Sequence, residues 1–192
     1  GDTVKLVDLI DEAVARGITQ VKERSAELSP EEQDHVGRMI GIGALKYADL
    51  STDRVKDYVF DWDRMLSFDG NTAPYLQYAH ARIRSIFRKA GIKSMSTDVE
   101  IRLGDSKERA LGLQLLAFDA AVTEAVERFS PHRLCTYLFD LAQDFTAFYE
   151  ACPVLKAEDE ATRRSRLALC DLTARVLARG LGLLGIDVPD RM

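Results

Sequence analysis

Two tyrosines and an arginine stand at positions 75, 78 and 82 within a segment of helical pattern. A spacing of i, i+3 and i+7 places Tyr75, Tyr78 and Arg82 on one face of a helix. Unpaired bases stack on tyrosine rings and guanidinium planes, and arginine also neutralises phosphates. The pattern therefore offers a surface for a single-stranded nucleic acid. The same spacing also fits a core helix whose arginine only borders the core, and spacing alone does not separate the two.

Other patterns that carry chemistry are missing from the sequence. It has no phosphate-binding GxxxxGK[ST] loop, no serine-nucleophile signature and no two histidines at helical spacing for a metal. Asp57, Asp61 and Asp63 alternate with aromatic residues and are interpreted as solvated charges. The three cysteines are an odd number without a CxxC pair, which favours buried free thiols over a disulfide or zinc site. We expect no catalytic residue and no metal site.

Charge is distributed unevenly along the chain, although the net value is −5. Lysine and arginine exceed aspartate and glutamate by four over residues 71–104 and by three over 161–192, whereas 1–70 and 105–160 each carry an excess of six acids. If the two basic segments meet in space, they form a focused positive surface. The charge pattern is therefore compatible with a nucleic-acid partner.

Composition predicts an ordinary globular protein, with 46% hydrophobic and 30% charged residues. No apolar run approaches the roughly 20 residues that span a bilayer, and the start of the sequence lacks the pattern of a signal peptide. We therefore expect a cytoplasmic protein without a membrane partner.

Helical periodicity dominates the chain and predicts an all-α fold. Ser29, Pro30 and Glu32 form a helix start with a capping box, and Gly41 and Gly43 in that helix indicate a close neighbour. Residues 58–62 predict either one short strand or an extended lead-in. The helices are expected at about 6–26, at 30 to about 46, from Thr72-Ala73-Pro74 to before Gly91, from Asp105 or Ser106 to Phe129 with a break near Asp119, from a Ser130 cap and Pro131 to Ala151, and at about 158–184. The expected fold is a bundle of four or five helices from Pro74 onward, preceded by two helices and an extended segment.

Residues 57–79 and the end of the chain have a distinctive sequence. It reads DYVFDWDRMLSFDG over residues 57–70 and NTAPYLQYA over residues 71–79, and the chain ends in GLLGIDVPDRM over 182–192. These segments closely resemble the C-terminal part of arginyl-tRNA synthetases. The resemblance implies that residues 1–70 are the end of a catalytic domain and that 71–192 are a helical, DALR-type anticodon-binding domain. It also implies that residues 1–13 follow directly after the lysine–methionine–serine loop of the catalytic domain.

The implied function is recognition of the anticodon stem-loop of arginine tRNA. The whole enzyme would esterify arginine to its tRNA with ATP and magnesium. This chain lacks the nucleotide-binding fold, so we expect it to be inactive alone, to need no cofactor, to be a monomer and to work with the missing catalytic domain. A free-standing tRNA-binding paralogue and a protein-interaction module without catalysis remain as alternatives.

The resemblance also implies which residues bind tRNA. Tyr149 lies one step off a core stripe of residues 137–148 and resembles an aromatic residue that contacts the anticodon loop. Arg166 has two interpretations, a phosphate contact or a surface salt bridge with the acidic run at 158–160. The full expected set is Asn71, Tyr75, Tyr78, Arg82, Tyr149, Arg166 and Met192.

Overall fold

The computed structural model describes residues 5–93, 95–96 and 98–192. Within these ranges the regular structure is helical and no strand occurs, so the predicted all-α class is confirmed. The helices are α1 (Leu6–Arg24), α2 (Pro30–Leu50), α3 (Trp62–Met65), α4 (Ala73–Ala90), α5 (Ser106–Leu116), α6 (Phe118–Glu127), α7 (Pro131–Ala151) and α8 (Glu160–Leu183). Residues 1–4, expected to follow the upstream loop, lie outside the described ranges, as do 94 and 97 in the turn region expected before α5.

Helices α1 and α2 form an antiparallel pair whose backbones almost touch. A Cβ atom on Gly17 would lie 2.2 Å from the Gly37 carbonyl oxygen, and one on Gly41 would lie 2.1 Å from the Ala13 carbonyl oxygen. The predicted close neighbour of Gly41 is therefore α1, and the neighbour of Gly43 is the Gln77 side chain of α4, 2.9 Å from an added Cβ.

The start of α2 has the predicted capping box. The Ser29 hydroxyl accepts a hydrogen bond from the Glu32 amide at 3.3 Å, and the Glu32 carboxylate accepts one from the Ser29 amide at 2.8 Å. The helix continues to Leu50, four residues beyond the expected end. Residues 58–61 have no regular secondary structure, so the strand considered for 58–62 does not form, and Trp62 begins the short α3. Asp61 caps α3 by accepting bonds from the amides of Asp63 and Arg64.

Helices α4 to α8 form the expected bundle, with a core between α4, α5, α7 and α8. The apolar face predicted from residue 105 to 129 is divided at Ala117 into α5 and α6, close to the expected break. Ser130 stands at the N-cap position of α7 and Pro131 begins the helix, as predicted, but the Ser130 hydroxyl makes no capping bond and donates to the Arg128 carbonyl oxygen instead. The stripe of residues 137–148 on α7 is buried, and the three free cysteines are buried as predicted.

No described helix combines the length and the apolar character that crossing a membrane requires. Burial of the core is what fixes α4 and α7 side by side, and these two helices carry most of the side chains predicted to meet RNA.

Candidate nucleic-acid interface

Arg82 and Tyr149 come together although 67 positions separate them in the sequence. Helix α4 carries Arg82 and the last turn of α7 carries Tyr149, and the guanidinium carbon lies 4.5 Å from the centre of the tyrosine ring. This is a cation–π contact. The ring of Tyr149 also stacks on the buried Phe145, with centroids 6.0 Å apart. Both side chains are half-buried, so the protein core holds one side of the pair and solvent reaches the other.

The two tyrosines of α4 have different environments. Tyr75 is half-buried and meets Phe139 of α7 edge-to-face, with ring centroids 5.7 Å apart. Tyr78 is exposed to 43% and meets Phe68 edge-to-face at 6.3 Å. The core interpretation of this helix face therefore describes Tyr75 better than Tyr78.

Tyr78 borders an open cavity of about 740 Å³ between α1, the segment before α4 and the end of the chain. Phe68 and Met192 line the same cavity, so the structure brings two predicted site residues, Tyr78 and Met192, to one place. Arg24 of α1 also lines it, with its guanidinium carbon 4.6 Å from the centre of the Phe68 ring. Phe68 and Arg24 were not expected from the sequence. The position of Phe68 close to the turn at Gly70 could have indicated a surface aromatic residue, whereas no local sequence pattern indicates a role for Arg24.

Asn71 is an exposed residue just before α4, and its side chain is hydrogen-bonded to Tyr47. The buried Tyr47 of α2 donates its hydroxyl proton to the Asn71 side-chain oxygen at 2.6 Å and also lies 2.9 Å from the Cys135 carbonyl oxygen of α7. Burial raises the pKa of Tyr47, so the phenol keeps its proton. The loop before α4 is thus tied to both α2 and α7.

The Arg166 side chain forms hydrogen bonds to other groups of the protein. Its Nε donates to the Glu108 carboxylate at 2.6 Å, and its Nη1 donates to the Pro153 carbonyl oxygen at 2.9 Å. The side chains of Arg166 and Glu108 are exposed to only 14% and 2%. The salt-bridge interpretation therefore had the wrong partner, because the ion pair joins α8 to α5 and not to the 158–160 run. A phosphate contact by Arg166 stays a prediction.

The two basic segments do meet, because α4 packs against α8 and the end of the chain returns to α4. Part of the positive charge is neutralised there. Arg84 lies 3.5 Å from the buried Asp171 carboxylate and 3.6 Å from that of Asp190, and Arg175 lies 3.3 Å from Asp171. The focused positive surface is therefore smaller than the count of residues suggests.

Comparison with protein families agrees with this architecture. Residues 76–192 match the DALR anticodon binding domain, and residues 1–62 match the catalytic domain of class I tRNA synthetases (R). The chain belongs to the arginyl-tRNA synthetase family. Its residues 76–192 form a DALR anticodon-binding domain, and a segment that matches the class I catalytic domain precedes it. The matches leave 63–75 between them, so the boundary at 70/71 stays a prediction.

Similar proteins are full-length enzymes of this family. The arginine–tRNA ligase of Frankia casuarinae is 59% identical over all 192 residues, which correspond to 32% of its length, and that of Proteus mirabilis is 50% identical over 33% of its length. The solved arginyl-tRNA synthetase of Thermus thermophilus superposes with a TM-score of 0.91 at 38% identity, covering 99% of this chain and 32% of that one. That of Plasmodium falciparum gives 0.88 at 35% identity, covering 98% and 34%. The chain thus spans about a third of its relatives.

Proposed function

We propose that this chain recognises the anticodon stem-loop of arginine tRNA. The observation that carries the proposal is the open cavity where Tyr78, Phe68 and Met192 meet, one helical turn along α4 from the Arg82–Tyr149 pair. The cavity volume of about 740 Å³ exceeds that of a nucleobase, and its aromatic walls suit the face or edge of an unstacked base. Sequence-specific recognition of RNA generally uses unpaired loop bases that are splayed onto such groups.

Each part of this surface has a distinct role. Tyr78 and Phe68 provide ring surface for a base that enters the cavity, and Met192 adds a polarisable, adaptable wall. A second base at the Arg82–Tyr149 pair has two options, because Arg82 already covers the ring of Tyr149. It can continue the stack on the outer face of the guanidinium, or it can displace Arg82 toward a phosphate. Tyr75, held against Phe139, and Asn71, held by Tyr47, border this surface and fix its shape.

In the whole enzyme, binding of the anticodon would orient the tRNA so that its acceptor end reaches the catalytic domain. We propose that this enzyme esterifies arginine to its tRNA with ATP and magnesium in the cytoplasm, acts as a monomer, and supplies the catalytic domain as the partner of this chain. The 192 residues include only the end of that domain, so we expect RNA binding without ATP and no aminoacylation by this chain alone.

The test is the affinity of the chain for a fluorescently labelled anticodon stem-loop of arginine tRNA. Base–aromatic stacking is worth about 1–3 kcal/mol per base, so Tyr78→Ala, in the wall of the cavity, should weaken binding by roughly fivefold to more than 100-fold. Tyr78→Phe keeps the ring and should bind within a few-fold of the unchanged chain. Tyr58→Ala is the matched control, because Tyr58 is exposed to 40% but lies on the lead-in to α3.

Equal affinities for the Tyr78→Ala and Tyr58→Ala proteins would show that the cavity does not bind a base and would contradict the proposal. Binding of arginine tRNA only together with a second enzyme would favour the free-standing paralogue. A protein-interaction module would show RNA binding that is weak and indifferent to sequence, together with a protein complex that is far less sensitive to salt than an RNA complex.

A further inference from the structure

The last eight residues, 185–192, form a segment that we call the tail, and buried side chains of α4 hold its backbone. The Gln77 side-chain amide nitrogen donates to the carbonyl oxygen of Asp187 at 2.8 Å and to that of Met39 at 3.1 Å. His80 Nδ1 lies 3.0 Å from the Pro189 carbonyl oxygen. A carbonyl oxygen only accepts, so this ring nitrogen carries the proton. Gln77 is fully buried and His80 is exposed to 5%. If the tail leaves, His80 loses its partner and Gln77 keeps only its bond to Met39.

Two arginines continue the same row along α4. Arg88 donates from Nη1 to the Asp190 carbonyl oxygen at 2.8 Å, and Arg84 Nε lies 3.6 Å from the Asp190 carboxylate. Arg84 is itself fixed, because its Nη1 lies 3.5 Å from the buried Asp171 of α8 and its Nη2 donates to the Lys93 carbonyl oxygen at 3.3 Å. The contacts to the tail thus advance along α4 as the tail advances toward Met192.

Two residues after Asp190, the Met192 side chain is partly buried in the cluster between α1, α2 and α3, and it lines the cavity beside Tyr78. We propose that Gln77, His80, Arg84 and Arg88 form a clamp that positions Met192 in this cavity before any RNA arrives. The four residues are positioning residues, since they contact the tail and act through it. The expected effect of the clamp on RNA binding rests on the proposed function, whereas its effect on the position of the tail does not.

The clamp matters for affinity because ordering a free segment on binding costs free energy. A tail that is already ordered contributes its side-chain contacts to RNA binding without that cost. A tail without the clamp would have to order itself when RNA binds, and the same contacts would then give weaker binding.

The first test is digestion of the tail by a carboxypeptidase in the 192-residue chain without RNA, because the protease removes residues only from a tail that has left its contacts. Arg88→Gln removes one clamp contact at an exposed position where folding is not at risk, and it should speed the loss of residues 190–192 by roughly fivefold to tenfold. Lys89→Gln removes the same charge one position further along α4, about 100° around the helix, and should leave the digestion rate unchanged. Digestion of the unchanged chain as fast as that of a free peptide with the tail sequence, or equal rates in both variants, would overturn the clamp.

The second test asks whether the clamp acts through Met192. In the unchanged background Arg88→Gln should weaken binding of the anticodon stem-loop by more than Lys89→Gln does. The Lys89→Gln protein is the control for the loss of one positive charge. In the Met192→Ala background this extra loss should disappear, because coupled residues give non-additive effects. An extra loss of equal size in both backgrounds would show that Arg88 contacts RNA directly or acts on stability alone, and would refute positioning.

The two proposals fail in different ways. If the unchanged chain bound no stem-loop, the proposed function would fail, while the digestion experiment would still decide whether the clamp holds the tail. If binding were strong and specific but the tail were digested as fast as a free peptide, the clamp would fail and the proposed function would stand.

Discussion

Replacing Gly41 by alanine is expected to destabilise this protein, because the added methyl group would lie inside the contact between α1 and α2. An ideal Cβ at Gly41 falls 2.1 Å from the Ala13 carbonyl oxygen and 2.8 Å from the Val14 amide nitrogen. Both neighbours are backbone atoms, so no side-chain rotation can relieve the clash. The two helices must instead move apart by about 1 Å, and close-packed interiors do not absorb such a shift freely.

The size of the effect follows from two opposing contributions. Overpacking of a close-packed contact costs about 1–3 kcal/mol, and this site stands at the upper end because the obstacle is rigid backbone. Alanine in place of glycine inside a helix returns up to about 1 kcal/mol through helix propensity. The net loss is about 2 kcal/mol, which corresponds to a melting temperature lower by about 4–8 °C for a chain of this length.

The measurement is urea or thermal unfolding followed by circular dichroism, together with the fluorescence of Trp62, the one tryptophan in the sequence, which packs against the same cluster as α1 and α2. Gly112→Ala in α5 is the matched control. Its added Cβ would meet only the Leu103 methyl groups, at 3.6 and 3.7 Å, so it should stabilise the protein by up to about 1 kcal/mol. If the Gly41→Ala protein were as stable as the Gly112→Ala protein, the argument from backbone contact would be refuted.

Three further predictions concern buried polar groups. Burial lowers the pKa of His80, and the hydrogen bond to Pro189 offsets this only in part. Below about pH 6.5 the unfolded chain therefore takes up a proton on His80 more readily than the folded chain does. Stability in urea should therefore fall from about pH 7.5 to about pH 5.5, and His80→Gln should flatten this dependence; parallel curves would contradict the assignment. Glu108→Ala leaves Arg166 nearly buried without its anion and should cost about 3 kcal/mol in unfolding free energy, whereas Glu160→Ala, at an exposed pair, should change it by no more than about 0.5 kcal/mol; similar costs would refute a buried ion pair. Burial raises the pKa of Cys135 to about 12, and all three thiols are buried, so a thiol reagent should label the native protein far more slowly than the unfolded protein; rapid labelling of native protein would show that the thiols are accessible.

Local chemistry made the helices predictable. The Ser29 capping box and the glycine at position 91 with φ of 72° mark ends that depend on a few neighbouring residues, and the sequence contains all of them. Ser130 shows the limit of this reasoning. A serine before a proline has the right type for a cap, but its backbone conformation directs the hydroxyl to Arg128 instead.

The site was predictable only in part, because its geometry depends on contacts between distant residues. Tyr78, Tyr149 and Met192 were predicted from the sequence as RNA-binding residues and stay predictions, but nothing in the sequence indicated that Arg24 and Phe68 line a cavity together with Tyr78 and Met192. The clamp joins residues more than 100 positions apart, and no pattern of spacing reveals such a pairing. The same holds for Arg166, whose partner is 58 positions away, while the nearby acids at 158–160 suggested a local ion pair.

One binding experiment tests directly whether this chain reads the anticodon of arginine tRNA. The chain would be titrated with the arginine anticodon stem-loop and with a stem-loop changed only at the middle anticodon base, each at two salt concentrations. We predict that both affinities fall as salt rises, since phosphate contacts release counterions, and that the arginine loop keeps a preference of tenfold or more, about 1.4 kcal/mol, at both concentrations. Equal affinity for the two loops would contradict anticodon recognition by this chain.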